Sequence, residues 1–277
     1  MMKKMRLNNY YLDMKEHFLL VPYYNQERRI RVLLPKDYDK EEWANYPVLY
    51  MHDGQNIFYS KESFSGYSWK IIPTIKNHKN LPKVIVVGID NAGDNRLNEY
   101  APWHTDVGTT PQTASVGGDG MLYGEWVVKT VKPFIDSHYR TLTDAKHTLL
   151  AGSSMGGIIT AYMGAAYPHV FGKLGVFSLA SWFSERDFLR FCDHHPLDKT
   201  SKVFIQVGTK EGDEVDEEFA PNMNQAYIDA SLHYFQSLIR TKMPLEHIQL
   251  LIKANEIHHE KYWANHFLEF LNFCLEE

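Results

Sequence analysis

The fold is decided by residues 148–157, which read TLLAGSSMGG. An apolar run, Thr148–Ala151, leads into a match to the pattern G-x-S-x-G. In that pattern a sharp turn between a strand and a helix lifts one serine hydroxyl clear of a sheet. The glycines on either side allow the backbone to close around the serine. The stretch therefore predicts a buried strand, a tight turn with Ser154 at its tip, and a helix over Gly156–Tyr167.

Short apolar runs alternate with longer amphipathic segments along the rest of the chain. The runs that read as strands are Phe18–Val21, Ile30–Leu34, Val48–Met51, Val84–Val87, Thr148–Ala151, Leu174–Ser178, Val203–Val207 and Ile248–Ile252. The helical patterns are Trp69–Lys76, Leu122–His138, Gly156–Tyr167, Ala226–Arg240 and a last helix from Trp263 to Cys274. This alternation predicts an α/β fold with a mainly parallel central sheet and helices on both faces. Because no repeat or linker interrupts it, residues 1–277 are expected to form a single domain.

The composition excludes several classes of protein. Lys and Arg total 29 and Asp and Glu total 34, so the formal net charge is −5, which argues against nucleic-acid partners. No polybasic patch, membrane-length apolar run or secretory signal is recognisable, so no membrane partner and a cytoplasmic location are expected. The two cysteines, Cys192 and Cys274, are expected to be reduced thiols.

A serine hydroxyl is a weak nucleophile at neutral pH. To attack a substrate it needs a neighbouring base and a further group that orients this base. In a parallel sheet, functional side chains gather just beyond the carboxyl ends of the strands. Glu211 follows the run Val203–Val207, and His258 and His259 follow the last run. This is the order serine, acid, histidine found in α/β-hydrolases. Asp213 remains an alternative acid and His259 an alternative base.

The remaining parts of an ester-cleaving site can be placed around Ser154. The N–H groups of Met155 and Gln55 are the predicted oxyanion donors, and Gly54 would allow close backbone approach. Trp103, which borders the long loop His104–Gly120, and Trp182, which follows the run Leu174–Ser178, are candidate walls of the substrate pocket. No H-E-x-x-H spacing and no phosphate-binding glycine pattern follows a strand, so neither a metal nor a cofactor is expected.

Several segments, in order, resemble the putative esterase (esterase D-like) family of α/β-hydrolases. They are Tyr50–Asn56, Val86–Asn91, Arg96 with Glu99–Pro102, Lys132–Asp136 with Tyr139–Thr141, Gly152–Gly157, Gly208–Glu211 and His258–Glu260 with Trp263. The resemblance runs from about residue 28 to the C-terminus. It implies an α/β-hydrolase fold and a serine esterase, and it selects His258 over His259 because the family's base lies five residues before the tryptophan. The chain has Glu211 where the family often has Asp.

The family that the chain resembles includes enterochelin, feruloyl and acetyl-xylan esterases, S-formylglutathione hydrolases and mycolyltransferases. It therefore implies a carboxylic ester hydrolase that acts on a small-molecule ester, here expected to carry a short or aromatic acyl group. A siderophore esterase and an acyltransferase with the same triad are the alternatives. A non-catalytic scaffold is disfavoured because every triad position holds a competent residue. A homo-oligomer is a further expectation, because the family often self-associates.

Overall fold

The computed structural model describes residues 13–78, 80–107, 116–212 and 222–276. Eight strands form one sheet in the order β1-β2-β4-β3-β5-β6-β7-β8. The strands are β1 (Met14–Val21), β2 (Gln26–Leu33), β3 (Val48–Met51), β4 (Ile85–Ile89), β5 (Thr148–Ser153), β6 (Lys173–Phe177), β7 (Lys202–Lys210) and β8 (Ile248–Ile257). Every predicted strand is therefore present, although β8 continues to Ile257 and is longer than the apolar run that predicted it.

Most of the sheet is parallel. Strands β3 to β8 pair with their neighbours in parallel, whereas β1 pairs antiparallel with β2 and β2 pairs antiparallel with β4. The carboxyl ends of β3 to β8 consequently lie along one edge of the sheet. This is the edge at which sites form in open α/β sheets.

The helices cover both faces of the sheet. They are α1 (Ile71–Asn77), α2 (Arg96–Tyr100), α3 (Gly120–Trp126), α4 (Lys132–His138), α5 (Met155–Ala166), α6 (Glu185–His194), α7 (Met223–Arg240) and α8 (Glu260–Leu275). A π-helical turn, Val127–Val131, joins α3 to α4, so the predicted helix Leu122–His138 is one continuous helix. Helices α2 and α6 had no predicted counterpart; α2 is short, and α6 buries only Phe188 and Cys192 in a charged segment.

Apolar side chains alternate between the two sides of the central strand β5. Leu150 belongs to the core that includes helix α5, whereas Leu149 and Ala151 belong to the core that includes α8. Helix α5 lies close to the sheet at Gly164, where a Cβ would come within 2.3 Å of Leu174 Cδ1. The predicted fold class, an α/β-hydrolase fold with a mainly parallel sheet between helices, is confirmed.

Among the described residues, no helix is both long and apolar enough to cross a membrane. Cys192 and Cys274 are buried and free of disulfide bonds. Within the same residues, no group of three or more His, Cys, Asp or Glu side chains could hold a metal ion.

Candidate active site

Ser154 lies at a sharp turn between β5 and α5. Its backbone has φ 58° and ψ −124°, a conformation that costs a non-glycine residue on the order of 1–3 kcal/mol. A Cβ on Gly152 would come within 2.5 Å of the Gly156 carbonyl oxygen, so the turn can close only around a glycine. The Ser154 N–H donates to the Phe177 carbonyl at 2.9 Å, which ties the turn to β6. The local structure is the strand–turn–helix that the sequence predicts.

The candidate acid and the candidate base meet at the carboxyl ends of β7 and β8. Glu211 directly follows β7 and is 1% exposed, and its Oε2 lies 2.8 Å from Nδ1 of His258, which directly follows β8. The other oxygen, Oε1, accepts hydrogen bonds from the Ser178 hydroxyl and the Gly208 N–H, both at 2.6 Å. With its Nδ1–H donated to this carboxylate, the imidazole keeps Nε2 available as a proton acceptor.

A bulge in β8 brings the two residues together. Gly208 pairs with Lys253, but Lys210 pairs with Ile257, so β8 contains two more residues than β7 over this stretch. Asn255, inside the bulge, has φ 62°, and its N–H donates to Thr209 Oγ1 at 2.9 Å. Because bulges redirect the residues that follow them, this one places His258 against Glu211.

The rival base has a different position. The His259 side chain caps the first turn of α8, where its Nδ1 accepts a hydrogen bond from the Lys261 N–H at 3.0 Å. The rival acid, Asp213, lies outside the described residues. Of the two histidines, His258 is therefore the one held by the buried carboxylate.

Aromatic rings surround His258. Its ring centroid lies 4.8 Å from that of Tyr227 and 5.0 Å from that of Trp263, which meets it edge to face. The ring of Trp182 lies 5.7 Å from Tyr227 at nearly a right angle. Tyr227 thus connects a predicted substrate residue, Trp182, to the candidate base.

The predicted oxyanion loop lies against the first turn of α5. A short 3₁₀ turn, Gly54–Asn56, directly follows Asp53, whose φ is 53°. A Cβ on Gly54 would come within 2.7 Å of the Gly88 carbonyl carbon, so only glycine fits so close to β4. A Cβ on Gly156 would lie 3.3 Å from Asp53 Oδ2, which shows how closely the loop approaches the helix that starts at Met155.

A buried ion pair fixes this loop. Arg96 holds the Asp53 carboxylate with both ends of its guanidinium, at 2.7 and 2.8 Å, and Asn91 Nδ2 donates to it at 2.6 Å. Burial acts to raise the pKa of Asp53, but Arg96 and Asn91 outweigh it and hold this pKa below its usual range. Since the charge of Arg96 is paired in this way, Arg96 is a poor candidate for binding an anionic substrate.

The histidine of the same loop is neutral. His52 is 2% exposed, and its Nδ1 lies 2.8 Å from the Tyr123 hydroxyl. Burial lowers the pKa of His52 to about 3, although the charge of Asp53 acts in the opposite direction. His52 therefore stays uncharged near neutral pH.

Trp103 lies elsewhere on the same side of the sheet. Its ring packs against Tyr162 of α5 and Phe191 of α6, with centroids 5.7 and 5.5 Å away. It lines a cavity of about 350 Å³ whose other lining residues all belong to α6 or directly follow it. Residues 108–115 of the loop His104–Gly120 lie outside the described residues, and His104 pairs with Gly117 across this gap. A substrate role for Trp103 stays a prediction.

Sequence reasoning missed two side chains that hold the site. Ser178 is the first residue after β6 and joins Glu211 to Trp263, whose indole N–H donates to the Ser178 hydroxyl at 2.7 Å. Its position at a strand end was the available signal. Arg31 lies inside β2 and contacts the Gly54 carbonyl oxygen, and nothing in the local pattern of β2 indicates this contact.

The comparisons with known proteins identify the family of this chain. The family model described as Putative esterase matches residues 22–273. The chain belongs to this esterase family. It is thus a carboxylic ester hydrolase, which confirms the predicted class of enzyme.

Individual relatives are distant. An uncharacterized protein of Bacillus subtilis (strain 168), YbbA, is 24% identical over 247 residues, which cover 89% of this chain and 92% of that protein. A ferulic acid esterase structure superposes with a TM-score of 0.71 at 16% identity and covers 96% of this chain and 98% of its own. The enterobactin esterase FES of Shigella flexneri gives 0.70 at 17% identity over 95% of this chain and 58% of its own. At such identities the two structures establish the shared fold.

Proposed function

We propose that this esterase cleaves its substrate through an acyl-enzyme, with Ser154 as nucleophile, His258 as base and Glu211 as the residue that orients the base. The observation that carries the proposal is the 2.8 Å contact between His258 Nδ1 and a Glu211 carboxylate that is 1% exposed. A buried carboxylate in this position fixes one tautomer of the imidazole and stabilises the imidazolium that forms during the reaction. Ser154, at the turn after β5, lies at the same edge of the sheet.

The reaction then proceeds in two halves. His258 takes the proton of the Ser154 hydroxyl as the oxygen attacks the ester carbonyl, and it returns this proton to the leaving alcohol. The N–H groups of Met155 and Gln55 bind the oxygen that becomes negative in each tetrahedral intermediate. Water, deprotonated by the same histidine, releases the acid and restores the serine.

An aromatic or a short acyl group suits the side chains near the base. Ring contacts run from Trp182 through Tyr227 to His258, and of the first two rings Tyr227 is buried whereas Trp182 is partly exposed. Such aromatic side chains can pack against a ring such as a feruloyl group. The pairing of Arg96 with Asp53 disfavours a catecholate siderophore, for which a free cation would be an advantage.

The test is hydrolysis of p-nitrophenyl acetate, p-nitrophenyl butyrate and methyl ferulate by the wild-type chain and by Ser154→Ala. The variant should retain the fold, as circular dichroism would show, and lose turnover of every ester. Ser153→Ala is the matched control, because it removes the neighbouring hydroxyl from the same turn and should stay active. Turnover by Ser154→Ala at the wild-type rate would refute the nucleophile.

Two alternatives are separated by the same enzyme preparation. Added methanol or glycerol competes with water for the acyl-enzyme, so an acyltransferase would release mainly transesterified product. A catecholate trilactone cleaved faster than methyl ferulate would favour a siderophore esterase. Absence of labelling of Ser154 by a fluorophosphonate would argue against Ser154 as the nucleophile.

A further inference from the structure

A buried arginine contacts the oxyanion loop from the side of β2. Arg31 is 2% exposed and pairs across the sheet with Gly88 of β4. Its guanidinium nitrogen NH2 lies 2.5 Å from the Gly54 carbonyl oxygen. Gly54 and Gln55 share this peptide group, so the contact is made to the back of the peptide whose N–H is the predicted oxyanion donor.

This carbonyl is the shortest contact of the guanidinium. The Asp90 carboxylate is 3.5 Å from NH2, and the Glu62 carboxylate, 31% exposed, is 3.0 Å from NH1. The Phe58 ring lies under the guanidinium at 5.2 Å. Burying a cation is costly unless polar groups of opposite charge or dipole surround it. The Gly54 carbonyl and the two carboxylates surround this guanidinium, and the carbonyl is the nearest of the three.

The geometry of a peptide group transmits this contact to its other side. In a trans peptide the carbonyl and the N–H point in opposite directions within one plane. A charged donor on the carbonyl draws electron density toward the oxygen and makes the N–H a stronger donor, as in other hydrogen-bond chains. It also fixes the plane of the peptide, and with it the direction of the N–H.

We propose that Arg31 is a positioning residue that strengthens and aims the Gln55 N–H toward the oxyanion of the transition state. This inference rests on the proposed function, because it needs the Gln55 N–H as an oxyanion donor. In this proposal the Arg31 guanidinium lies outside the substrate pocket and acts on the oxyanion through the peptide group that joins Gly54 to Gln55. The effect should appear in steps that pass through the oxyanion, and acylation and deacylation both do.

The test compares Arg31→Met with Arg29→Met. Arg29 shares both carboxylates with Arg31, at 2.8 Å to Asp90 and 3.3 Å to Glu62, and among the described residues its ion pairs are with these two and Glu16. For p-nitrophenyl acetate, Arg31→Met should lower kcat on the order of 10-fold. This loss is smaller than the roughly 100-fold or greater loss that follows removal of an oxyanion donor. KM should stay within about twofold, because the ground-state ester barely uses the oxyanion site.

A second readout separates this role from a general loss of structure. The serine hydroxyl adds to an aryl trifluoromethyl ketone, and the adduct mimics the tetrahedral oxyanion. The Ki of this inhibitor should therefore rise in Arg31→Met by about the same factor as kcat falls. Arg29→Met should change neither quantity. If Arg31→Met does not fold, Arg31→Gln keeps a polar side chain without the charge, and the same loss is expected of it.

Three results would overturn the inference. The first is a wild-type kcat in Arg31→Met or Arg31→Gln. The second is a KM effect with unchanged kcat and Ki. The third is an equal loss in Arg29→Met, which would assign the effect to the shared carboxylates. If Ser154→Ala is inactive while Arg31→Met is fully active, only this inference fails; a wild-type chain that hydrolyses no ester of the panel would refute the proposed function first.

Discussion

The hydroxyl of Ser178 donates a hydrogen bond of 2.6 Å to Oε1 of Glu211. Ser178 is fully buried and has φ 46°, so its backbone is held in a conformation that few non-glycine residues adopt. The same hydroxyl accepts the indole N–H of Trp263 at 2.7 Å, and Trp263 in turn contacts His258 edge to face. One serine thus connects the candidate acid to the residue that packs on the candidate base.

Replacing Ser178 by Ala should affect both stability and catalysis. The change removes the partner of the Trp263 indole N–H and one of the two donors to Glu211 Oε1. The free energy of unfolding should therefore fall by about 1–3 kcal/mol. A less firmly held carboxylate should also lower kcat on the order of 10-fold, as loss of a supporting hydrogen bond does at other catalytic sites. Urea unfolding and ester hydrolysis measure the two effects.

Ser181→Ala is the control for this variant. The Ser181 hydroxyl is equally buried but has no hydrogen-bond partner among the described residues, so its removal should change stability by less than about 0.5 kcal/mol. If Ser178→Ala loses stability but keeps the wild-type kcat, Ser178 supports the fold alone.

The identity of the acid can be decided by two amide substitutions. Glu211→Gln preserves the shape of the side chain but removes the charge that faces His258, so kcat should fall on the order of 10²–10⁴-fold. Because Glu211 is the proposed acid, Asp213→Asn should leave kcat within about twofold. The reverse pattern, with the larger loss in Asp213→Asn, would transfer the role to Asp213.

The buried neutral His52 predicts a loss of stability in acid. In the unfolded chain this imidazole takes up a proton below about pH 6.5, whereas in the folded protein burial lowers its pKa to about 3. Protons therefore favour the unfolded state between these values. The stability that His52 contributes is complete above pH 6.5 and is lost as the pH falls toward 3, with about 2–3 kcal/mol lost between pH 7 and pH 4.5.

Urea unfolding at several pH values would measure this effect. A His52→Gln variant cannot titrate at this position, so its unfolding free energy should decline less between pH 7 and pH 4.5 than that of the wild type. His194→Gln, at an exposed position, should follow the wild-type decline. Parallel curves for wild type and His52→Gln would contradict the assignment of a neutral buried imidazole.

Trp182 should influence the choice of acyl group. Trp182→Ala removes a ring from the aromatic contacts that run through Tyr227 to His258, so kcat/KM for methyl ferulate should fall by up to about 10-fold, as expected for loss of one aromatic contact. The value for p-nitrophenyl acetate should be nearly unchanged, because an acetyl group has no ring to pack against the indole. Unchanged preference between the two esters would remove Trp182 from the pocket.

Trp103→Ala is the companion variant. Trp103 packs between α5 and α6, so a selective effect on methyl ferulate would show that the pocket extends to these helices. An effect on stability alone would make Trp103 a packing residue.

The amino-acid sequence alone predicts the sheet, the turn at Ser154 and the order of the candidate acid and base. These features rest on short stretches of chain: apolar runs for the strands, and glycines at 152 and 156 for the turn. Strand ends then predicted where Glu211 and His258 would lie, because parallel strands place their carboxyl ends at one edge. The family resemblance selected His258, and His258 is also the histidine that contacts Glu211.

Tertiary structure decided how the site is held together. The bulge around Asn255 sets the direction of His258, Ser178 links Glu211 to Trp263, and Arg31 reaches the Gly54 carbonyl across β4. Each of these contacts joins residues that are far apart in the chain, and no local pattern of apolar and polar residues specifies such a pairing. Only the packing of the strands beside one another brings these side chains within hydrogen-bonding distance.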